Sequence, residues 1–307
     1  MILRNPQFGL KLLGVRGSRP VSGQEFQIYG GQTTTIELTG FGDTRVFLDA
    51  GTGLLNSYQN SKHQSNRWKN LHFVITHTHW DHVIGLNQFP PLFDENASIS
   101  FHAPTSENGT FESLFERLFS SEHSYFSRDQ IKAKLHFNVI KPRIPFQINE
   151  KLRVEGIQVN HQAVTLGYKF SVGTKSVCFI TDSAPLSNKC ILGQGMQEAS
   201  DLLGYEAFEG LYHSQMIDFI NGADLIAYDT HFFDDKVKPD WGHSSPKYAI
   251  EICKAGNVKE LVMFHHAPED EDVLIKKKIE EAEALMLDCN FSLVAAREGD
   301  EWTLASA

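Results

Sequence analysis

The 307-residue chain is poor in cysteine, has no long apolar run and is short of positive charge. Its four cysteines, Cys178, Cys190, Cys253 and Cys289, lie far apart and form no C-x-x-C pair, so neither a thiolate zinc clamp nor a dithiol redox motif is present. Reduced, partly buried thiols are expected. No stretch approaches the roughly 18 apolar residues needed to cross a bilayer. Residues 1–13 include Arg4 and Lys11 and lack the apolar core of an export signal, which predicts a cytoplasmic protein with no membrane partner. Lys and Arg total 28 against 38 Asp and Glu, a formal charge of −10, so long-range attraction to a long nucleic acid is not expected. Low-complexity segments and Pro/Gly/Ser linkers are also missing. With 41% apolar and 21% charged residues, the chain has the composition of a globular protein whose length allows one large or two ordinary domains.

What the chain has in excess is histidine, fourteen in all. Short β-rich runs recur at 33–38, 45–48, 71–76, 97–102, 151–160, 168–172, 176–181, 224–228, 259–264, 291–295 and 301–304. Between them, Phe111, Leu114, Phe115, Leu118 and Phe119 follow one helical face. Ser244-Ser245-Pro246 opens a second helix that Gly256 ends, and an apolar stripe predicts a third over about 271–286. The glycine-bearing stretch 187–221 reads as a long loop with short helices. The Phe-rich stretch 89–135 reads as a helical insert covering the core, with Tyr125 and Phe126 as candidates for a lid.

Several of these runs end in a residue that can bind metal or orient a ligand: Asp49, His77, His161, Asp182, Asp229 and His265. Side chains at strand ends converge on one crevice while the strands behind them stay packed. The densest segment is T-H-T-H-W-D-H at 76–82. His77 and His79, two apart at a strand end, point the same way and can hold one ion; Asp81 and His82 follow in the turn and can face a second.

The H-x-H-x-D-H pattern, followed by single His, Asp and His residues after later strands, resembles the metallo-β-lactamase-fold hydrolases over almost the whole chain. The segments Tyr228-Asp229-Thr230-His231-Phe232, Gly242-His243-Ser244-Ser245 and Leu261-Val262-Met263-Phe264-His265 are similar to the branch of ribonuclease Z and the cyclic phosphate phosphodiesterases. The resemblance implies an α/β (α+β) fold, a four-layer αββα sandwich of two mixed sheets, in a single domain 1–307 with halves near 1–155 and 156–307. It implies two divalent ions, zinc first, with manganese or iron as alternatives. His77, His79 and His161 would hold the first ion, Asp81, His82 and His265 the second, and Asp182 would bridge them. Asp49 would support a ligand histidine. His243, oriented by Asp229, would protonate the leaving group, so that Asp81, His243 and Asp229 form the catalytic set. His266 is read as a rim residue, and His231, His102 and His72 as packing or surface histidines.

The function so implied is hydrolysis of a small phosphodiester, a cyclic nucleotide or cyclic sugar phosphate, by a hydroxide shared between the ions. A carboxylic-ester or lactone hydrolase is the alternative; a tRNA 3′-processing nuclease or an iron-dependent redox protein or sensor ranks below it. Ribonuclease Z carries a long arm between its third and fourth motifs, whereas His161 and Asp182 are 21 residues apart. The expected partner is therefore a small molecule, and the resemblance leaves a homodimer open.

Overall fold

The computed structural model describes residues 7–64, 68–106, 109–120, 124–186 and 196–304. Cys190 and the 187–195 part of the glycine-bearing stretch fall outside them. Two compact units divide the chain, Met1–Ile140 with Arg297–Ala307, and Lys141–Ala296. The boundary lies earlier than the expected 155 because 141–155 carries a strand that pairs within the second sheet. The chain's end returns to the first unit because its last strand pairs with the first.

The first unit holds one seven-stranded sheet built from β1 (Gly9–Gly14), β2 (Thr35–Thr39), β3 (Thr44–Leu48), β4 (Asn70–Val74), β5 (Ser98–Ala103), β6 (Lys134–Val139) and β14 (Glu301–Thr303). Its order is β14-β1-β2-β3-β4-β5-β6, antiparallel from β14 to β3 and parallel from β3 to β6. The second unit repeats this plan with β7 (Phe146–Gln147), β8 (Arg153–Val159), β9 (Thr165–Val172), β10 (Lys175–Ile180), β11 (Leu225–Asp229), β12 (Glu260–Phe264) and β13 (Ser292–Ala295). Its order is β13-β12-β11-β10-β9-β8-β7, with β7 to β10 antiparallel and β10 to β13 parallel. Parallel neighbours need crossovers, and helices supply most of them: α1 (Gly53–Ser61), α2 (Trp80–Val83) and α3 (Phe111–Leu118) in the first unit, α4 (Met196–Leu203), α5 (Tyr205–Ile220), α6 (Pro246–Ala255) and α7 (Asp272–Leu285) in the second. Two mixed sheets with flanking helices are thus the expected ingredients of the fold. Among the described residues no helix is long and apolar enough to cross a membrane.

The phenylalanines of the 89–135 stretch join the core of the first unit. Phe47, Phe73, Phe101 and Phe137 stand opposite one another across β3 to β6, and their rings stack at 5.1, 5.4 and 5.4 Å. Phe111 and Phe115 of α3 lie on Phe101 at 5.1 and 5.3 Å, and Phe119 is buried with them. Phe126 packs on Phe93 at 4.6 Å, and Tyr125, 90% exposed, touches it edge-on at 5.4 Å. The 187–221 stretch also differs from its reading. Most of it is α4 and the sixteen-residue α5, whose buried Phe208, Tyr212, Met216, Phe219 and Ile220 fall on one helical face.

The other face of the first sheet carries a histidine pair. His72 Nδ1 lies 3.0 Å from His102 Nε2, and the two rings stack. Burial, then the neighbouring His72, pushes His102 down to about 3, and burial with His136 lowers His72. Both would titrate near 6.5 in the unfolded chain. For His102 the unfolded chain binds more protons between about 3 and 6.5, so its contribution to stability is complete above pH 6.5 and is lost as pH falls toward 3. Urea-unfolding free energy is expected to fall over that window by up to about 1.4 kcal/mol per pH unit through His102. His102→Gln, which takes up no proton, should flatten the acid limb; parallel profiles for variant and wild type would refute the assignment.

Candidate metal centre

In the first unit the ligand segment begins where β4 ends. Ile75 N donates to His102 O at 2.8 Å, and the chain then leaves the sheet through Thr76 and His77 to α2, whose N-cap is His79. His77, Asp81 and His82 are buried and His79 half-buried. The rings of His79 and His82 lie 4.5 and 4.2 Å from that of His77. Gly85 lets the turn seat against the end of β3: its N donates to Ala50 O at 2.8 Å, and a Cβ there would stand 2.1 Å from Gly51 O.

Asp49 organises this cluster. It sits fully buried after β3 with φ 55°, a left-handed conformation that stores strain and aims the carboxylate inward. Its Oδ1 accepts from Thr76 N at 2.8 Å, while Oδ2 accepts from Thr76 Oγ1 at 2.8 Å and from His82 Nδ1 at 2.7 Å. Burial raises its pKa, and His82 with the Thr76 hydrogen bonds opposes that rise. With Nδ1 donating to Asp49, a neutral His82 presents the Nε2 lone pair, which faces Asp81 Oδ2 at 3.1 Å. Two electron-pair donors so close repel unless a cation or proton lies between them. Ser18 N, from a residue at φ 62°, also donates to Asp81 Oδ2 at 2.8 Å. Neither Ser18 nor Thr76 had been singled out, because nothing in their residue type marks them as supports.

The second unit assembles the other predicted residues. His161 follows β8, Asp182 follows β10, Asp229 ends β11 and His265 follows β12. Asp182 and His265, like Asp49, have positive φ, 51° and 60°. His161 Nδ1 donates to Gly242 O at 2.9 Å, which leaves its Nε2 as an acceptor 3.7 Å from Asp182 Oδ1. His265 Nε2 lies 3.2 Å from Asp182 Oδ2, so the two histidines address different oxygens of one carboxylate. Gly242 has φ 76°, and a Cβ there would sit 2.2 Å from His161 Nδ1; only glycine allows that approach. Asn160 joins the two strand ends: its O accepts from Ala184 N at 2.8 Å, its Nδ2 donates to Ala184 O at 3.3 Å, and its N donates to Tyr212 Oη at 3.2 Å.

Asp229 and His243 form the predicted pair, Oδ2 accepting from Nδ1 at 2.9 Å. Asp229 also accepts from Ser183 N at 3.1 Å and His231 N at 3.0 Å. Burial alone would raise its pKa, but His243 and its hydrogen bond outweigh that and hold the carboxyl below its ordinary value. His231, read as a packing or surface histidine, packs: it is buried, stacks on His243 at 4.3 Å, and burial with His243 pushes it down to about 3. Nitrogens of His231, His243 and His265 lie within 4.8 Å of one another, close enough to hold an ion in principle. His266 is fully buried and donates from Nε2 to Ala296 O at 2.9 Å, which corrects its reading as a rim residue.

His82 in the first unit and His161 in the second each have Nδ1 engaged and Nε2 facing a carboxylate oxygen, an arrangement that fits divalent cations. Residues 44–266 match the beta-lactamase superfamily domain. Ribonuclease Z of Clostridium tetani is 22% identical over 295 residues, covering 86% of this chain and 89% of that protein. Among solved structures, the metallo-beta-lactamase fold protein YhfI from Bacillus subtilis has a TM-score of 0.67 at 14% identity, covering 97% of this chain and 99% of its own. A diphosphatase from the PhnP family has a TM-score of 0.63 at 15% identity, covering 97% and 98%. The chain belongs to the beta-lactamase superfamily, as a hydrolase with the metallo-β-lactamase fold.

Proposed function

We propose that the chain hydrolyses a small phosphodiester at a dinuclear centre. In this reading His77, His79 and His161 hold one divalent ion, Asp81, His82 and His265 hold the other, and Asp182 bridges them; zinc suits the His/carboxylate donor set, as do manganese and iron. Such ions supply a low-pKa water and offset phosphate charge. His243 holds a transferable proton at Nε2 for the departing alkoxide while Asp229, ionised, keeps Nδ1 engaged and stabilises the imidazolium. Asp49 and Gly242 O orient the ligands His82 and His161.

The observation that supports the reading is the 2.9 Å Asp229–His243 pair, which engages Nδ1 and leaves Nε2 for the leaving group, with His243 Nδ1 3.9 Å from Asp182 Oδ1. The 161–182 segment supports a small substrate. It is filled by β9, a turn at Gly173 and β10, which leaves no length for an RNA-gripping arm. The ribonuclease Z relatives favour a second reading, cleavage of a tRNA precursor. A reducing, cytoplasmic setting is consistent with free Cys178, Cys253 and Cys289.

Protein loaded with zinc or manganese should hydrolyse bis-p-nitrophenyl phosphate and a cyclic phosphodiester, and EDTA should abolish both activities. Turnover of a lactone without diester cleavage would overturn the proposal, and faster cleavage of a tRNA precursor than of any small diester would favour the second reading.

A further inference from the structure

Resting on the phosphodiesterase reading, we infer that Lys278 of α7 is a positioning residue for the Asp229–His243 pair, holding the turn after β11 so that both members keep their alignment. The residue closes a run of three lysines, 276–278, that in sequence resembles a solvated helix face. The helix separates them: Lys276 and Lys277 are exposed, while Lys278 is fully buried and lies in line with Ile275 and Ala282 on the inward stripe. An apolar side chain would fill that position without the desolvation cost of an ammonium, and exchanging a buried ion pair for apolar groups is often neutral or stabilising. Stability alone is therefore a poor reason for a lysine here; the acceptors it reaches supply a better one.

Lys278 Nζ donates to Thr230 O at 3.0 Å and to His231 O at 2.8 Å, and it pairs with the buried carboxylate of Asp270. Those carbonyls belong to two successive peptides, each planar and rigid, so holding an oxygen also aims the N–H at the other end. The 230–231 peptide turns His231 N toward Asp229 Oδ1 at 3.0 Å. The 231–232 peptide turns Phe232 N toward Ser244 O at 3.0 Å, in the residue after His243. One cation thus steers the carboxylate from one side and the backbone of the histidine from the other. It also polarises both carbonyls, which strengthens the two N–H donors beyond them. Thr230 N, tied to Phe264 O at 3.0 Å, restrains the preceding peptide and neither of these. With Oδ1 occupied, Asp229 Oδ2 is left to Ser183 N and to His243 Nδ1 at 3.1 and 2.9 Å, and the His231 ring, carried by the same turn, stacks on His243.

Lys278→Met combined with Asp270→Asn removes both charges together and leaves no unpaired ion. In zinc-loaded protein this double variant should keep its metal while kcat for glycerol 1,2-cyclic phosphate, whose alkoxide needs a proton, falls about 10–100-fold. Bis-p-nitrophenyl phosphate, whose leaving group departs unprotonated, should lose far less. Asp270→Asn alone keeps the two carbonyl bonds, so its ratio of the two rates should follow wild type even where its thermal midpoint falls. A readout independent of turnover is the His243 Nδ1–H proton resonance of histidine-labelled protein, identified by its absence in His243→Gln; it should shift or vanish in the double variant. Equal losses on both diesters, loss of metal, or an unmoved resonance would overturn the assignment. If wild type cleaves neither diester while the resonance moves, Lys278 still positions the pair and the phosphodiesterase reading fails.

Discussion

Asp182→Ala is expected to lose bound metal and to lower diester turnover by at least about 1,000-fold together. The expectation rests on the two oxygens of one carboxylate: Oδ1 faces His161 Nε2 at 3.7 Å and Oδ2 faces His265 Nε2 at 3.2 Å. The backbone complicates the alanine, since Asp182 has φ 51° and alanine in the left-handed region costs about 1–2 kcal/mol. Asp182→Asn separates strain from ligation, because asparagine tolerates that conformation but lacks the charge and the second anionic oxygen. Metal content by elemental analysis, read beside kcat for bis-p-nitrophenyl phosphate, should fall in both variants, whereas the thermal midpoint measured with EDTA should fall chiefly in the alanine. Full metal content in Asp182→Asn would remove Asp182 from the bridging position.

His243→Ala should show a loss that depends on the leaving group. General acid catalysis contributes about 10²–10⁴-fold when the departing oxygen needs a proton, as an alkoxide does. p-Nitrophenolate leaves without one, so bis-p-nitrophenyl phosphate should lose far less than a cyclic alkyl diester. Asp229→Asn should reproduce the pattern in weaker form. It keeps a hydrogen-bonding side chain at 2.9 Å from His243 Nδ1 but removes the carboxylate that the fold holds ionised. Equal losses on both substrates, with metal content reduced, would make His243 a ligand in the His231–His243–His265 group instead of a proton donor.

The proposed site residues were legible because strand ends are marked in sequence: an apolar run stops and a His or Asp follows, as at His77, Asp182, Asp229 and His265. The helices α1 and α5 were harder to read. In α5 the apolar positions lie four and three apart but are interrupted by Gly210 and by polar residues of the exposed face, so composition hid the period. β6 was missed for a related reason: it is an edge strand with mostly exposed or half-buried side chains, and its neighbour on one side decides that it forms.

By itself the sequence determined the order and chemistry of the proposed site residues, imidazole and carboxylate donors at strand ends. Tertiary structure decided which of the remaining histidines matter. His231, His243, His265 and His266 are alike in composition, but only packing puts His231 against His243, seats His266 on Ala296 O and turns His161 Nδ1 to Gly242 O. It also assigned the supporting work to Thr76, Ser18, Asn160 and Gly242. Their contributions are a backbone amide, a hydroxyl, a side-chain amide and a carbonyl at a given point in space, and such groups carry no signature until the chain has brought them there.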